Sequence, residues 1–243
     1  MSEIRFENFS CGYRSKKKYI PALEDLTFCI ADGEFFVVAG ESGCGKTTLL
    51  NCVLGLCEYT AGSLSVDGIA ADRALAGSIG YVRQEPGLYP HLTVYENIAF
   101  PLRTIHTAQK EVDARVKALA ERLGLSLLLT RVPRQLSAGQ QQTAAIARAL
   151  IKKPTLLLFD EPFSNLDPNL HSRFRRLVRN LHEEYRMTVL FVTHDLGEAF
   201  SLADRMLILQ NGRIADLGTP RELLADCRSE LLKGYLHETN RFT

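Results

Sequence analysis

The sequence predicts an α/β fold in which a mostly helical stretch interrupts regions rich in strands. Three observations point there. "EFFVVAG" (34–40) is a continuous apolar run that ends in glycine and leads into a helix after Lys46, as a central strand does. "TLLLFD" (155–160) and "TVLFVTH" (188–194) are equally apolar and end in polar residues, the pattern of parallel strands buried on both faces. Between the first run and the other two, residues 86–153 lose strand character and read as mostly helical.

Each element follows from local pattern. Ile4 and Phe6 alternate with Arg5 and Glu7, and Leu26, Phe28 and Ile30 repeat that period of two, so both stretches read as half-buried strands. "GSLSVDG" (62–68) alternates and closes on Asp-Gly, a turn signal. "SIGYVRQ" (78–84) is a short strand with a polar end. Thr93 and Glu96 have capping-box spacing for a helix running to about Phe100. Val112, Val116, Leu119 and Leu123 follow helical spacing, with Gly124 as C-cap. In "RQLSAGQQQTAAIARAL" (134–150), Ser137 is an N-cap and Gln140 completes its box. Gly139, inside that first turn, costs helix stability relative to alanine but lets backbone N–H groups approach an anion. Asp167-Pro168 opens a helix with Leu170, Phe174, Leu177, Leu181 and Tyr185 on one face. Leu196 to Ala203 reads as helix, 205–218 as a hairpin about Asn211-Gly212, and Thr219-Pro220 as the start of a C-terminal helix.

Composition narrows the function classes. Hydrophobic residues at 46% and charged residues at 23% are the balance of a soluble globular chain. A net charge of +1 gives no footprint for nucleic acid, and Lys16-Lys17-Lys18 reads as a solvated loop. No apolar run is long enough to cross a bilayer, and the charged start lacks the apolar core of a secretory leader, so a cytoplasmic protein is expected. Six cysteines without a C-x-x-C pair or a His cluster read as reduced, mostly buried thiols.

The chemistry concentrates at strand ends. "GESGCGKTT" (40–48) is a phosphate-loop motif with a buried strand before it and a helix after. Gly40, Gly43 and Gly45 let the backbone fold around phosphates, with Glu41, Ser42, Cys44 and Thr48 completing the loop. Lys46 supplies positive charge to β- and γ-phosphates, and the Thr47 hydroxyl suits Mg²⁺. Asp160 and Glu161 divide the acidic work, the first on the metal and the second polarising water. Gln84 and His194, also at strand C-terminal ends, are placed to sense the γ-phosphate. Cys44, next to a helix N-terminus, is expected to have a lowered pKa, with its alkylation blocking nucleotide binding.

In order, "GESGCGKT", Gln84, "LSAGQQQ", "LLLFDEP", "SNLD" and "VTHD" resemble the ATP-binding subunit of an ATP-binding-cassette (ABC) transporter. The resemblance covers nearly the whole chain, and 89–102 and 192–223 are most similar to bacterial solute importers. It implies a P-loop NTPase ABC cassette with a mixed sheet core, an N-terminal antiparallel β subdomain and an inserted α-helical subdomain: 1–85 and 154–220 the nucleotide-binding catalytic core, 86–153 the helical signature subdomain, and 221–243 a short helical tail without a large regulatory domain. It implies an ATPase that uses ATP and Mg²⁺, dimerises around two ATP and drives import through a membrane permease. Exporter ATPases and soluble non-transport cassettes are the alternatives.

Residue by residue, the resemblance makes Tyr13 the adenine-stacking aromatic. Thr47, Gln84 and Asp160 become the metal contacts, Glu161 the general base, and Lys46 and His194 the γ-phosphate contacts. Ser137, Ala138, Gly139 and Gln140 would close on ATP held by a partner chain, with Asp167 crossing the interface. Implied partners are a second cassette (a homodimer), integral permease subunits and an extracytoplasmic solute-binding protein, with no nucleic acid. The implied location is cytoplasmic, on the inner face of the cell membrane. Two departures stand out: Ala138 where the family usually has glycine, and Thr143 where it usually has arginine.

Overall fold

The computed structural model describes residues 2–15, 18–71, 79–164 and 166–239. Lys16 and Lys17 of the lysine run, Ser78 and Asn165 therefore lie outside the described residues, as does the end of the tail, 240–243.

Alternating aromatic and aliphatic residues build the first layer. β1 (Ile4–Ser15) and β2 (Lys18–Ile30) pair antiparallel. The chain then forms β3 (Phe35–Ala39), α1 (Lys46–Val53), β4 (Tyr59–Val66), β5 (Ile69–Ala70) and β6 (Ile79–Val82). Among the described residues, one sheet has the antiparallel order β2-β1-β4-β5.

A helical stretch follows: α2 (Val94–Arg103), α3 (Gln109–Arg122) and α4 (Ala138–Leu150). The core then resumes with β7 (Leu156–Asp160), α5 (Pro168–Tyr185), β8 (Thr188–Thr193), α6 (Leu196–Leu202), β9 (Arg205–Gln210), β10 (Arg213–Gly218), α7 (Pro220–Ala225) and α8 (Glu230–Thr239). The second sheet runs β10-β9-β3-β8-β7-β6, parallel except for the β10 edge.

β3, β7 and β8 are buried at every position, as uninterrupted apolar runs require. The pleat splits β3 between two cores. Phe35, Val37 and Ala39 join the core under the helices, while Phe36 and Val38 join the core shared with the antiparallel sheet. A stack of Phe6 on Phe28 (centroids 4.5 Å apart) and Phe28 on Phe36 (5.6 Å) fastens the two sheets together.

Local punctuation sets the helix ends. Thr93 with Glu96, Ser137 with Gln140 and Thr219 with Glu222 each form a reciprocal capping box. Gly124 takes φ 69° after α3, and Asn211 and Gly212 both have positive φ between β9 and β10, the hairpin turn expected of Asn-Gly.

Three elements differ from expectation. β1 and β2 extend far beyond their alternating segments, because register shifts between Phe6 and Gly12 carry the pairing past positions that break the pattern. α2 continues through Pro101 to Arg103. The C-terminal helix is two helices: the Asp216 carboxylate accepts from the backbone N–H groups of Arg228 (2.9 Å) and Ser229 (2.7 Å), which holds the break between them. Among the described residues no helix is long and apolar enough to cross a membrane.

Candidate active site

The turn from β3 into α1 is built for close backbone approach. A Cβ on Gly40 would lie 2.3 Å from the Leu209 carbonyl oxygen, and Gly45, at φ 113°, would meet Leu23 and Ala22 below 3 Å. The loop wraps the buried Lys46, whose Nζ donates to the carbonyls of Gly40 and Glu41, both at 2.9 Å. The same Nζ is 3.3 Å from Glu161 Oε1. Lys46 thus points into the loop that an anion would occupy and is held there by weaker acceptors than a phosphate.

The acids arrive from β7. Asp160 Oδ1 accepts the Thr47 hydroxyl at 3.0 Å and Oδ2 accepts the Tyr81 hydroxyl at 3.2 Å. Burial pushes the Asp160 carboxyl up, and those two hydrogen bonds oppose it. Burial, reinforced by Asp160, also pushes the Tyr81 hydroxyl up to about 12, so it stays a donor at neutral pH. Thr47 Oγ1 and Asp160 Oδ1 are hard oxygen ligands at about the spacing of neighbouring oxygens around an ion with ~2.1 Å bonds, so the pair fits Mg²⁺.

Glu161 has φ 44°, an uncommon backbone conformation for a residue with a side chain, fixed by its N–H donating to the Val192 carbonyl at 2.9 Å. That conformation turns its carboxylate between two partners: Oε1 toward Lys46, and Oε2 to His194 Nδ1 at 2.8 Å. His194 follows β8, the strand paired with β7, so neighbouring strands deliver the acid and the imidazole to one edge.

Lys46, Thr47 and Glu161 border a cleft of about 620 Å³ that is also lined by the rest of 42–48, Gln84, Tyr13 and the Asn211-Gly212 turn. Tyr13 lies in β1, half exposed, with its hydroxyl bonded to Thr48 Oγ1 at 2.9 Å. A second cleft, of about 700 Å³, shares Thr47 and Gln84 with the first and contains Tyr81 and Asp160.

The other predicted residues sit elsewhere. Ser137 Oγ accepts from Gln140 N at 3.3 Å, and Gln140 Oε1 accepts from Ser137 N at 3.0 Å. Neither Ser137, Ala138, Gly139, Gln140 nor Asp167 is among the described residues lining the Lys46 cleft. Ser137, Ala138 and Asp167 are exposed, so the Ala138 methyl faces outward. Gly139 is buried, and a Cβ there would lie 3.2 Å from Leu170 and 3.4 Å from Phe174. Thr143 donates its hydroxyl to the Gly139 carbonyl at 2.8 Å.

Cys44 departs from expectation. It is buried, and burial pushes its thiol up by more than Lys46 and the loop N–H groups bring it down. The thiolate fraction at neutral pH therefore falls below that of a free cysteine. Alkylation of Cys44, followed by peptide mass spectrometry, should be slow at pH 7 and still be accelerating at pH 9. A pH 7 rate equal to that of free cysteine would contradict this.

Two features carry no sequence signal: Tyr81 on Asp160, and a network behind His194. In the latter, the Thr193 hydroxyl donates to the buried Glu198 (2.7 Å) and His171 lies 3.2 Å from the same acid.

Residues 23–164 match the family model described as ABC transporter. The sn-glycerol-3-phosphate import ATP-binding protein UgpC of Cupriavidus pinatubonensis is 40% identical over 238 residues, covering 97% of this chain and 64% of that protein. The trehalose/maltose import ATP-binding protein MalK of Thermococcus litoralis is 39% identical over 225 residues, covering 89% of this chain and 60% of that protein. The chain thus spans less than two thirds of the length of these curated relatives. The dimeric post-hydrolysis ATP-binding cassette MJ0796, bound to ADP and Pi, superposes with a TM-score of 0.80 at 31% identity, covering 90% of this chain and 99% of that one.

Proposed function

We propose, from the premise that this chain belongs to the ABC transporter family, that it binds and hydrolyses ATP as a cassette dimer and passes the resulting movement to a membrane permease. One observation carries the reading. A single carboxylate, Glu161, joins the phosphate-loop lysine to His194, beside a Thr47–Asp160 pair suited to magnesium.

The residues divide the reaction. Lys46 leaves Glu161 and its own loop carbonyls to bind the β- and γ-phosphates, and the loop N–H groups cradle them. Thr47 and Asp160, with Gln84 alongside, hold Mg²⁺, which when bound neutralises phosphate charge. Glu161, released by Lys46, takes a proton from the attacking water, and His194 holds the γ-phosphate in place. Tyr13 stacks on the adenine.

The signature turn serves a partner copy. Capping uses the Gln140 N–H, which leaves the first-turn amides of Ala138 and Gly139 to meet a γ-phosphate at the positive end of α4. Asp167 crosses the same interface. ATP lies between the two chains, and its hydrolysis releases them. The helical segment 86–153, with Gln84 at its root, docks on the permease at the inner membrane face. Relatives named for import favour an importer served by an extracytoplasmic binding protein over an exporter.

The purified chain should hydrolyse ATP, chelation of Mg²⁺ should abolish that activity, and the tagged chain should co-purify with a permease from detergent-solubilised membranes. Hydrolysis with no permease retained would favour a soluble cassette role instead.

A further inference from the structure

We propose that His171 is a positioning residue for hydrolysis, tying the backbone that leads to Asp167 to the loop that carries His194; this rests on the roles given to those two residues above. His171 lies in the first turn of α5. Its Nε2 is 3.3 Å from the Leu166 carbonyl oxygen and its Nδ1 is 3.2 Å from Glu198 Oε1. A carbonyl only accepts, so Nε2 is a donor. On the other side, Nδ1 faces the Glu198 carboxylate.

Glu198 passes the tie on. It is buried, and its other oxygen accepts the Thr193 hydroxyl at 2.7 Å. Thr193 Oγ1 in turn accepts from Asp195 N at 3.0 Å. Those contacts bracket His194, which meets Glu161 at 2.8 Å. The chain of contacts therefore runs from Leu166, next to Asp167, through α5 and α6 to the imidazole and the general base. Glu161 is thus held by Lys46 and His194, and Leu166 by His171.

The charges facing this cluster are Glu198 on α6, Asp195 at the N-cap of α6, and Arg175 on α5. Burial pushes the Glu198 carboxyl up, opposed by the Thr193 hydroxyl and by the charges of His171 and Arg175. Ligand atoms of His171, Asp195 and Glu198 lie within 4.8 Å of one another. Their hydrogen bonds close the set on itself, however, because Asp195 Oδ1 also caps α6 by accepting from Glu198 N at 2.9 Å. The cluster reads as an internal brace and not as a metal cage.

His171 makes two contacts, to the Leu166 carbonyl and to Glu198. His171→Leu removes both, His171→Gln offers one amide nitrogen, and His171→Arg restores several donors in a fork. We expect the kcat for ATP to fall about tenfold in the Leu and Gln variants, the scale of a small misplacement of reacting groups. ATP affinity, titrated separately, should stay within twofold of wild type, and the Arg variant should recover most of the rate. Independently of activity, amide hydrogen exchange should quicken at both 163–167 and 193–198 in the Gln variant and not in the Arg variant. A Gln variant with kcat within twofold of wild type, or exchange that quickens only within α5, would overturn the proposal. A wild-type chain without ATPase activity would instead overturn the hydrolytic reading, and the exchange measurement would still decide the tie.

Discussion

Glu161→Gln should lower the ATPase rate by about 10²–10⁴-fold, the span attributed to a positioned general base, and leave a dimer that persists for as long as ATP is present. The amide keeps the shape of the carboxylate but cannot take a proton from water. It also weakens both contacts of Glu161: Lys46 Nζ at 3.3 Å and His194 Nδ1 at 2.8 Å. Lys46 is then freer to bind phosphate, so ATP affinity should hold or rise while turnover stops. Light scattering after size-exclusion chromatography, with and without ATP, reads the dimer. Phosphate release reads the rate. A variant that still turns over at the wild-type rate would remove Glu161 from the base role.

Lys46→Ala should fail at the earlier step. Lys46 is the buried cation of the cleft, and all three of its contacts lie on or beside the phosphate loop. Charge-assisted hydrogen bonds to phosphate contribute about 1.5–3 kcal/mol each. Two lost contacts therefore correspond to an affinity at least about 100-fold weaker. Equilibrium titration with a fluorescent ATP analogue measures it, and thermal melting checks the fold. Wild-type affinity would mean that the phosphates sit elsewhere. The two variants separate cleanly: one binds and does not turn over, the other does not bind.

The parts of the site that rest on local spacing were legible in the sequence. An apolar run ending in glycine placed β3, and the acids at 160–161 and the histidine at 194 followed from where buried runs stop. The capping boxes at 93/96 and 137/140 needed only four residues each. What escaped depends on distance along the chain. Tyr81 reaches Asp160 across 79 positions, and a strand tyrosine has no motif to announce it. His171 and Glu198 belong to different helices whose packing no periodicity encodes. The Cys44 thiol departs from expectation for a related reason. The helix N-terminus is visible in the sequence, whereas the burial that outweighs it comes from the surrounding fold.

Gly139 has a double allegiance with a practical consequence. Its missing side chain accommodates Leu170 and Phe174 of α5 within its own chain, on the helix whose first turn follows Asp167. Enlarging it would press on that helix before any second subunit arrived, so lost activity in a Gly139 variant would mix a packing fault with a docking fault. Ala138, one position earlier and turned outward, carries no such burden. In the dimer proposed above, it is the position at which the grip between two subunits would be adjusted without pressing on α5.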